Sequence, residues 1–168
     1  LFVQHPVTFK IKKNYQNFKL TSKVLNNYSK FKVICLSSNA DAGGQKINSF
    51  IIKNKNFINF KNLDEKKFLS VLKFSKFMIG NSSAGIREAP TFRTPVINIG
   101  TRQHGRLRSQ NIIDCDYKIN SIKNSIQTIL YDKKYQNLLK KTKNLYEEKN
   151  TSKNILKKIL NTMKKGIS

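Results

Sequence analysis

The chain has 168 residues, a length that fits a single domain able to bury most of its apolar surface. It carries 33 Lys and Arg against 9 Asp and Glu, a net charge of +24, but the cations are mostly Lys, spread through every predicted helix and accompanied by Asn and Ile. With no RNP-like aromatic signature, zinc-finger spacing or compact Arg-rich stripe, this points to compositional drift and argues against a dedicated nucleic-acid module, while the lack of an apolar run of about 20 residues excludes a helical membrane span.

Apolar runs and helical periods alternate along the chain, which is the pattern of βαβ units around a parallel sheet. Leu1 to Gln4 reads as a strand and Tyr15 to Tyr28 as a helix, with Phe18, Leu20, Val24 and Leu25 turned inward. Lys32 to Ser37 is the next strand and contains Cys35; Gly43-Gly44 turns the chain into a helix through Ile47, Phe50 and Ile51. Asn56 to Phe60 forms a short strand, and Asp64 caps a helix containing Phe68, Leu69 and Leu72. The stretch Val71 to Ile79 ends in the buried run Phe77-Met78-Ile79, Pro95 to Gly100 is a further strand, and Ile112-Ile113 adds a sixth. From Ile119 the pattern is helical to the end, so residues 119–168 read as a helical tail whose last few residues fray. Ile155, Leu156, Ile159, Leu160 and Met163 form an apolar stripe in it, expected to dock on its own domain or on an absent partner domain rather than on a membrane. Cys35 and Cys115 have no CxxC spacing, so two free thiols in a reducing cytoplasm is the expectation.

The eleven residues Gly80 to Pro90, GNSSAGIREAP, concentrate the chemistry. Ser82-Ser83-Ala84-Gly85 offers backbone N–H groups where a strand becomes a helix, a place that suits phosphate. Glu88, one turn on, can accept hydrogen bonds from two adjacent sugar hydroxyls, and Arg102 follows the next strand at the same carboxyl edge of the sheet. The bland alternatives are that a serine only caps the helix, that Glu88 only complements its dipole, and that Arg102 is a solvated charge. Arg87, on a different helical face from Glu88, suits a structural or inter-domain role.

GNSSAGIREAP, followed by TPVINIGTRQ and GR, resembles the hydrolysing UDP-N-acetylglucosamine 2-epimerases of the sialic-acid pathway. Gln4 to Thr8, QHPVT, resembles the opening of that family's second domain, and Asn39 to Gly43 resembles its N-x-D-A-G loop. The three motifs stand in the family's order, so the resemblance covers about residues 1 to 115. It implies a Rossmann-like α/β domain with helices on both faces of a parallel sheet, the second domain of a GT-B-type architecture, with the whole of 1–168 forming that domain and the amino-terminal domain missing.

The resemblance also implies roles. Ser82, Ser83 and Gly85 would meet the diphosphate, Arg102 would clamp it, and Glu88 would hold the ribose. Asn39 would contact the nucleotide, backbone groups near Leu63 would read uracil, and Asp41 with Gly43 would shape a turn. His5 would anchor the diphosphate or serve as the acid as the sugar–phosphate bond breaks, while His104 matches nothing and is read as incidental. The implied reaction removes the C2 proton of the sugar, eliminates UDP, and adds water with inverted C2, with no metal and no redox cofactor. The implied partners are a UDP-sugar, the missing domain and a second copy of the full enzyme in a homo-oligomer, with no nucleic acid and no membrane. A relative acting on UDP-N,N'-diacetylbacillosamine, a non-catalytic nucleotide-binding fragment and a basic nucleic-acid-binding protein remain as alternatives.

Overall fold

The computed structural model describes residues 1–7, 11–39 and 43–164; Thr8 and Asp41 therefore lie outside the described residues. In chain order the elements are β1 (Phe2–Val3), α1 (Ile11–Asn26), β2 (Val33–Leu36), α2 (Gly44–Lys53), β3 (Phe57–Phe60), α3 (Glu65–Phe74), β4 (Met78–Gly80), α4 (Ala84–Arg87), a turn of 3-10 helix (Ala89–Phe92), β5 (Val96–Ile99), β6 (Ile112–Cys115), α5 (Ile119–Tyr131), α6 (Lys133–Lys140) and α7 (Thr151–Lys164). The six strands form one sheet in the order β3-β2-β1-β4-β5-β6, every pair parallel. This is the doubly wound Rossmann order, with its switch between β1 and β4.

Both faces of the sheet are covered, so the central strands β1, β4 and β5 are buried at every position, and apolar at each except Gly80 and Asn98. Phe2, Ile79, Ile97 and Ile99 face α1, α2 and α5, where Phe18, Ile47, Ile51, Ile122 and Ile126 are fully buried. Val3, Met78 and Val96 face the other way, against Leu72 of α3, Ala84 of α4 and Ala89 of the 3-10 turn. The Phe2 and Phe18 rings stack at 4.8 Å, which fastens the short β1 to α1.

Four features differ from the sequence expectations. The first helix begins at Ile11 rather than Tyr15, because Asn14, a poor helix former, is buried where its amide accepts from the Val7 N–H at 3.0 Å and donates to the Val7 carbonyl at 3.0 Å. The strand after α3 is only Met78–Gly80, since Val71–Phe74 continue the helix. The helix after GNSS is a single turn, because Pro90 removes the donor that would extend it and a 3-10 turn follows. The tail breaks at Asp132, whose carboxylate caps α6 by accepting from the N–H groups of Lys134 and Tyr135, and again over 141–150.

The apolar stripe of α7 does not dock on its own domain. Ile155, Leu156, Ile159, Leu160 and Met163 are 48 to 68% exposed. The segment before α7 is tied by Asn144 to the Arg87 carbonyl and the Thr91 hydroxyl, so the helix starts beyond a face that α4 and the 3-10 turn already close. No described helix is long and apolar enough to cross a membrane.

Candidate functional site

The crevice at a switch point opens where neighbouring connections leave in opposite directions, at the carboxyl ends of β1 and β4. Here the residues after β1 are Gln4 and His5, and those after β4 are Asn81, Ser82 and Ser83. Val3 pairs with Gly80, and a Cβ on Gly80 would stand 2.0 Å from the Val3 carbonyl oxygen, at φ 134°. Only glycine permits that approach, and it brings the two loops into contact.

Asn81, 1% exposed, joins them. Its Oδ1 accepts from the His5 N–H at 2.7 Å and its Nδ2 donates to the His5 carbonyl at 2.8 Å. Its own carbonyl accepts from Arg102 Nη1 at 3.2 Å and from Gln103 Nε2 at 2.8 Å. Arg102 is therefore no free loop charge: it is drawn over the Gly80–Ser82 turn. Tyr117 also reaches Asn81, its hydroxyl 3.5 Å from Nδ2, and burial pushes its phenol up to about 12, so it is a neutral hydroxyl across the physiological range. Gly100, at φ 75°, lies under the Tyr117 ring where any Cβ would be 2.5 Å from Cε2.

His5 Nδ1 accepts from the Asn39 N–H at 3.3 Å, which joins the loop after β2 to the loop after β1. A neutral imidazole accepting at Nδ1 carries its proton on Nε2, the tautomer that can donate to an anion. The Asn39 loop is itself held from α2: Asn48 Oδ1 accepts from the Ser38 N–H at 2.7 Å, and its Nδ2 donates to the Ser38 carbonyl at 3.3 Å.

The turn after β4 is arranged differently from the sequence expectation. It is the Ser82 hydroxyl, not that of Ser83, that accepts from a backbone donor, the Ala84 N–H at 3.3 Å; Ser83 makes no side-chain cap bond. Because α4 has only four residues, its dipole is a small fraction of a long helix's, and the capacity for an anion rests on the hydroxyls, local N–H groups and Arg102. Gly85 is buried with its N–H donated to the Ser82 carbonyl at 3.2 Å, and an added Cβ would lie 2.7 Å from Val96 Cγ1. Its visible work is to let α4 lie close on β5.

Glu88 is the C-cap of α4 and the N-cap residue of the 3-10 turn, without a capping bond at either. Neither the carboxyl end of a four-residue helix nor the amino end of a one-turn 3-10 segment gives its carboxylate more than a weak dipole contribution. Its Oε2 is buried with no hydrogen-bond partner, an acceptor waiting for donors. Leu63 is half-buried in the loop between β3 and the Asp64 cap, at the carboxyl edge but toward its outer end. His104 and Arg87 are exposed; Arg87 offers its carbonyl to Asn144.

The residues missed from sequence are Asn81, Gln103 and Tyr117. Gln103 signals itself only by being 2% exposed with Oε1 unpartnered, and Asn81 by standing between a positive-φ glycine and two serines. A separate cavity of about 400 Å³, bordered by Leu25, Tyr28, Phe31, Phe74 and Phe77, lies near the amino ends of the strands and has an apolar lining unsuited to phosphate.

A family model described as UDP-N-acetylglucosamine 2-epimerase matches residues 1–160. The chain belongs to this family. The GDP/UDP-N,N'-diacetylbacillosamine 2-epimerase (hydrolyzing) of Campylobacter jejuni is 44% identical over 121 residues, 69% of this chain and 32% of that protein. The UDP-N-acetylglucosamine 2-epimerase of Neisseria meningitidis is 42% identical over 97 residues, 56% of this chain and 26% of its own length. The fold matches the Staphylococcus aureus MnaA–UDP co-structure with a TM-score of 0.75 at 17% identity, over 97% of this chain and 44% of that one. This epimerase-family chain thus spans less than half the length of these relatives. At the carboxyl edge of β1 and β4 it brings His5 and Arg102 onto Asn81, which Ser82 and Ser83 follow in the chain.

Proposed function

We propose that the chain is the UDP-binding, carboxyl-terminal domain of a hydrolysing UDP-N-acetylglucosamine 2-epimerase, the second of two Rossmann-like domains. The observation that carries this reading is the crevice between β1 and β4, where Asn81 ties His5 to Arg102 beside Ser82 and Ser83. Arg102 and the two serines take the diphosphate, because a planar guanidinium and short hydroxyls together satisfy several phosphate oxygens. Glu88 takes the ribose hydroxyls on its buried Oε2, Asn39 contacts the nucleotide, Gly85 keeps the serine turn close to the sheet, and backbone near Leu63 reads uracil. His5 Nε2–H donates to the leaving diphosphate while the C1–O bond breaks. The carboxylates that take the C2 proton and direct water belong to the other domain. The full enzyme works as a homo-oligomer, and the unbridged thiols of Cys35 and Cys115 suit a reducing cytoplasm.

UDP-N,N'-diacetylbacillosamine is the second substrate reading, supported by the 44% identity to the Campylobacter jejuni protein. Both sugars would use the same nucleotide contacts, so the two readings share one test of this domain. The 168-residue chain should bind UDP in calorimetry at moderate salt and release no UDP from UDP-N-acetylglucosamine. Absence of UDP binding would overturn the site assignment, and steady turnover by the chain alone would overturn the division of labour between domains.

A further inference from the structure

Asn81 makes more of the site's internal contacts than any residue assigned to the ligand. Its side chain imitates a peptide group, accepting from and donating to the backbone of His5, a residue 76 positions earlier. Its main-chain carbonyl receives both Arg102 and Gln103 from the loop after β5. Gln103 is 2% exposed, and Arg108 secures the same loop by donating to the Gln103 carbonyl at 2.9 Å, so the loop has little freedom of its own. Three segments, after β1, β4 and β5, therefore meet at one buried residue, the first through its side-chain amide and the last through its main-chain carbonyl.

We propose that Asn81 is a positioning residue that holds His5 and Arg102 in one frame at the diphosphate end of the crevice, a reading that rests on the UDP assignment above. Asn81 does not itself need to touch the nucleotide. Its amide is committed to His5 and its carbonyl to Arg102 and Gln103, so its effect on binding passes through those side chains. Deleting the amide removes the two part-buried hydrogen bonds that Asn81 makes to the His5 N–H and carbonyl. The loop then relaxes, and the His5 ring loses its alignment with the Asn39 N–H.

The test compares UDP with uridine, which lacks the phosphates. Asn81→Ala should weaken UDP about 10- to 100-fold, as expected for a lost buried bracket, and change uridine affinity by less than about threefold. Equal losses for the two ligands would overturn the proposal, because a general structural role predicts them. Should Asn81→Ala fail to fold, the near-isosteric Asn81→Asp serves instead, measured with and without His5→Ala. A carboxylate that acted only by repelling the diphosphate would cost the same in both backgrounds. One that displaces His5 costs clearly less once the His5 ring is gone, and additivity overturns the proposal. A ligand-free arm uses 15N NMR of the imidazole: His5 should hold the Nε2–H tautomer in the wild-type chain and lose that preference in the Asn81 variant. Unchanged tautomer populations would count against the bracket even in a chain that bound no UDP, whereas failure of the wild type to bind UDP would overturn only the nucleotide reading.

Discussion

Glu88 keeps a carboxylate oxygen buried and unpartnered at the junction of α4 and the 3-10 turn. Leaving a buried acceptor unsatisfied costs about 1–3 kcal/mol, more when it is charged, so the position is poor for stability alone. Ribose hydroxyls would turn that deficit into binding energy. Glu88→Gln should therefore leave the ligand-free chain at least as stable in thermal melts. It should weaken UDP more than 2'-deoxy-UDP, because the amide is a poorer acceptor and the deoxy ligand has already lost one donor. Calorimetry with both nucleotides decides it. Equal losses would mean that Glu88 does not meet the 2'-hydroxyl.

At the scale of elements, the site depends on how closely a one-turn helix can lie on the sheet. Gly85→Ala places a methyl 2.7 Å from Val96 Cγ1, a branch of a side chain that is 3% exposed and has nowhere to move. Alanine gains about 1 kcal/mol of helix propensity over glycine, but overpacking a tight core contact costs about 1–3 kcal/mol, so the net effect is a loss. The denaturant midpoint should fall, and UDP affinity with it as α4 lifts Ser82 and Ser83 away from the sheet. A midpoint at or above the wild-type value would show that the packing is looser than the geometry indicates.

The same scale explains what could be read from the residues. Strands such as Val96–Ile99 were legible because strands buried on both faces are apolar at nearly every position, Asn98 being the exception here, and the Asp64 cap because its bond to the Lys67 N–H is local. Glu88 was read as part of the helix that ends one residue before it, and the α6 start was missed although Asp132 is an ordinary N-cap. The brackets Asn14–Val7, Asn48–Ser38 and Asn81–His5 were illegible for a different reason. An asparagine that replaces a peptide partner in space leaves no spacing signal. In a chain already rich in Asn, nothing marks these three.

For the whole molecule, the dominant physical fact is its charge of +24, against which only two salt bridges form among the described residues, Lys67–Asp64 and Arg108–Asp114. Such a field attracts any polyanion, and a nucleotide with two phosphates is a small one. Salt separates the contributions. Attraction that rests on counterion release collapses between about 50 and 200 mM salt, whereas a guanidinium already held against the Asn81 carbonyl would, on the proposed reading, meet a phosphate at short range, where screening is weaker. At moderate salt, Arg102→Ala should therefore weaken UDP by about 1.5–3 kcal/mol, as for a charge-assisted contact. Replacing Lys157 and Lys158 together, on the exposed α7, should change UDP affinity by less than about 0.5 kcal/mol. The pair removes twice the formal charge of the single variant. If it costs as much as Arg102, UDP is responding to the general field, and the basic nucleic-acid-binding reading regains the ground that the crevice geometry takes from it.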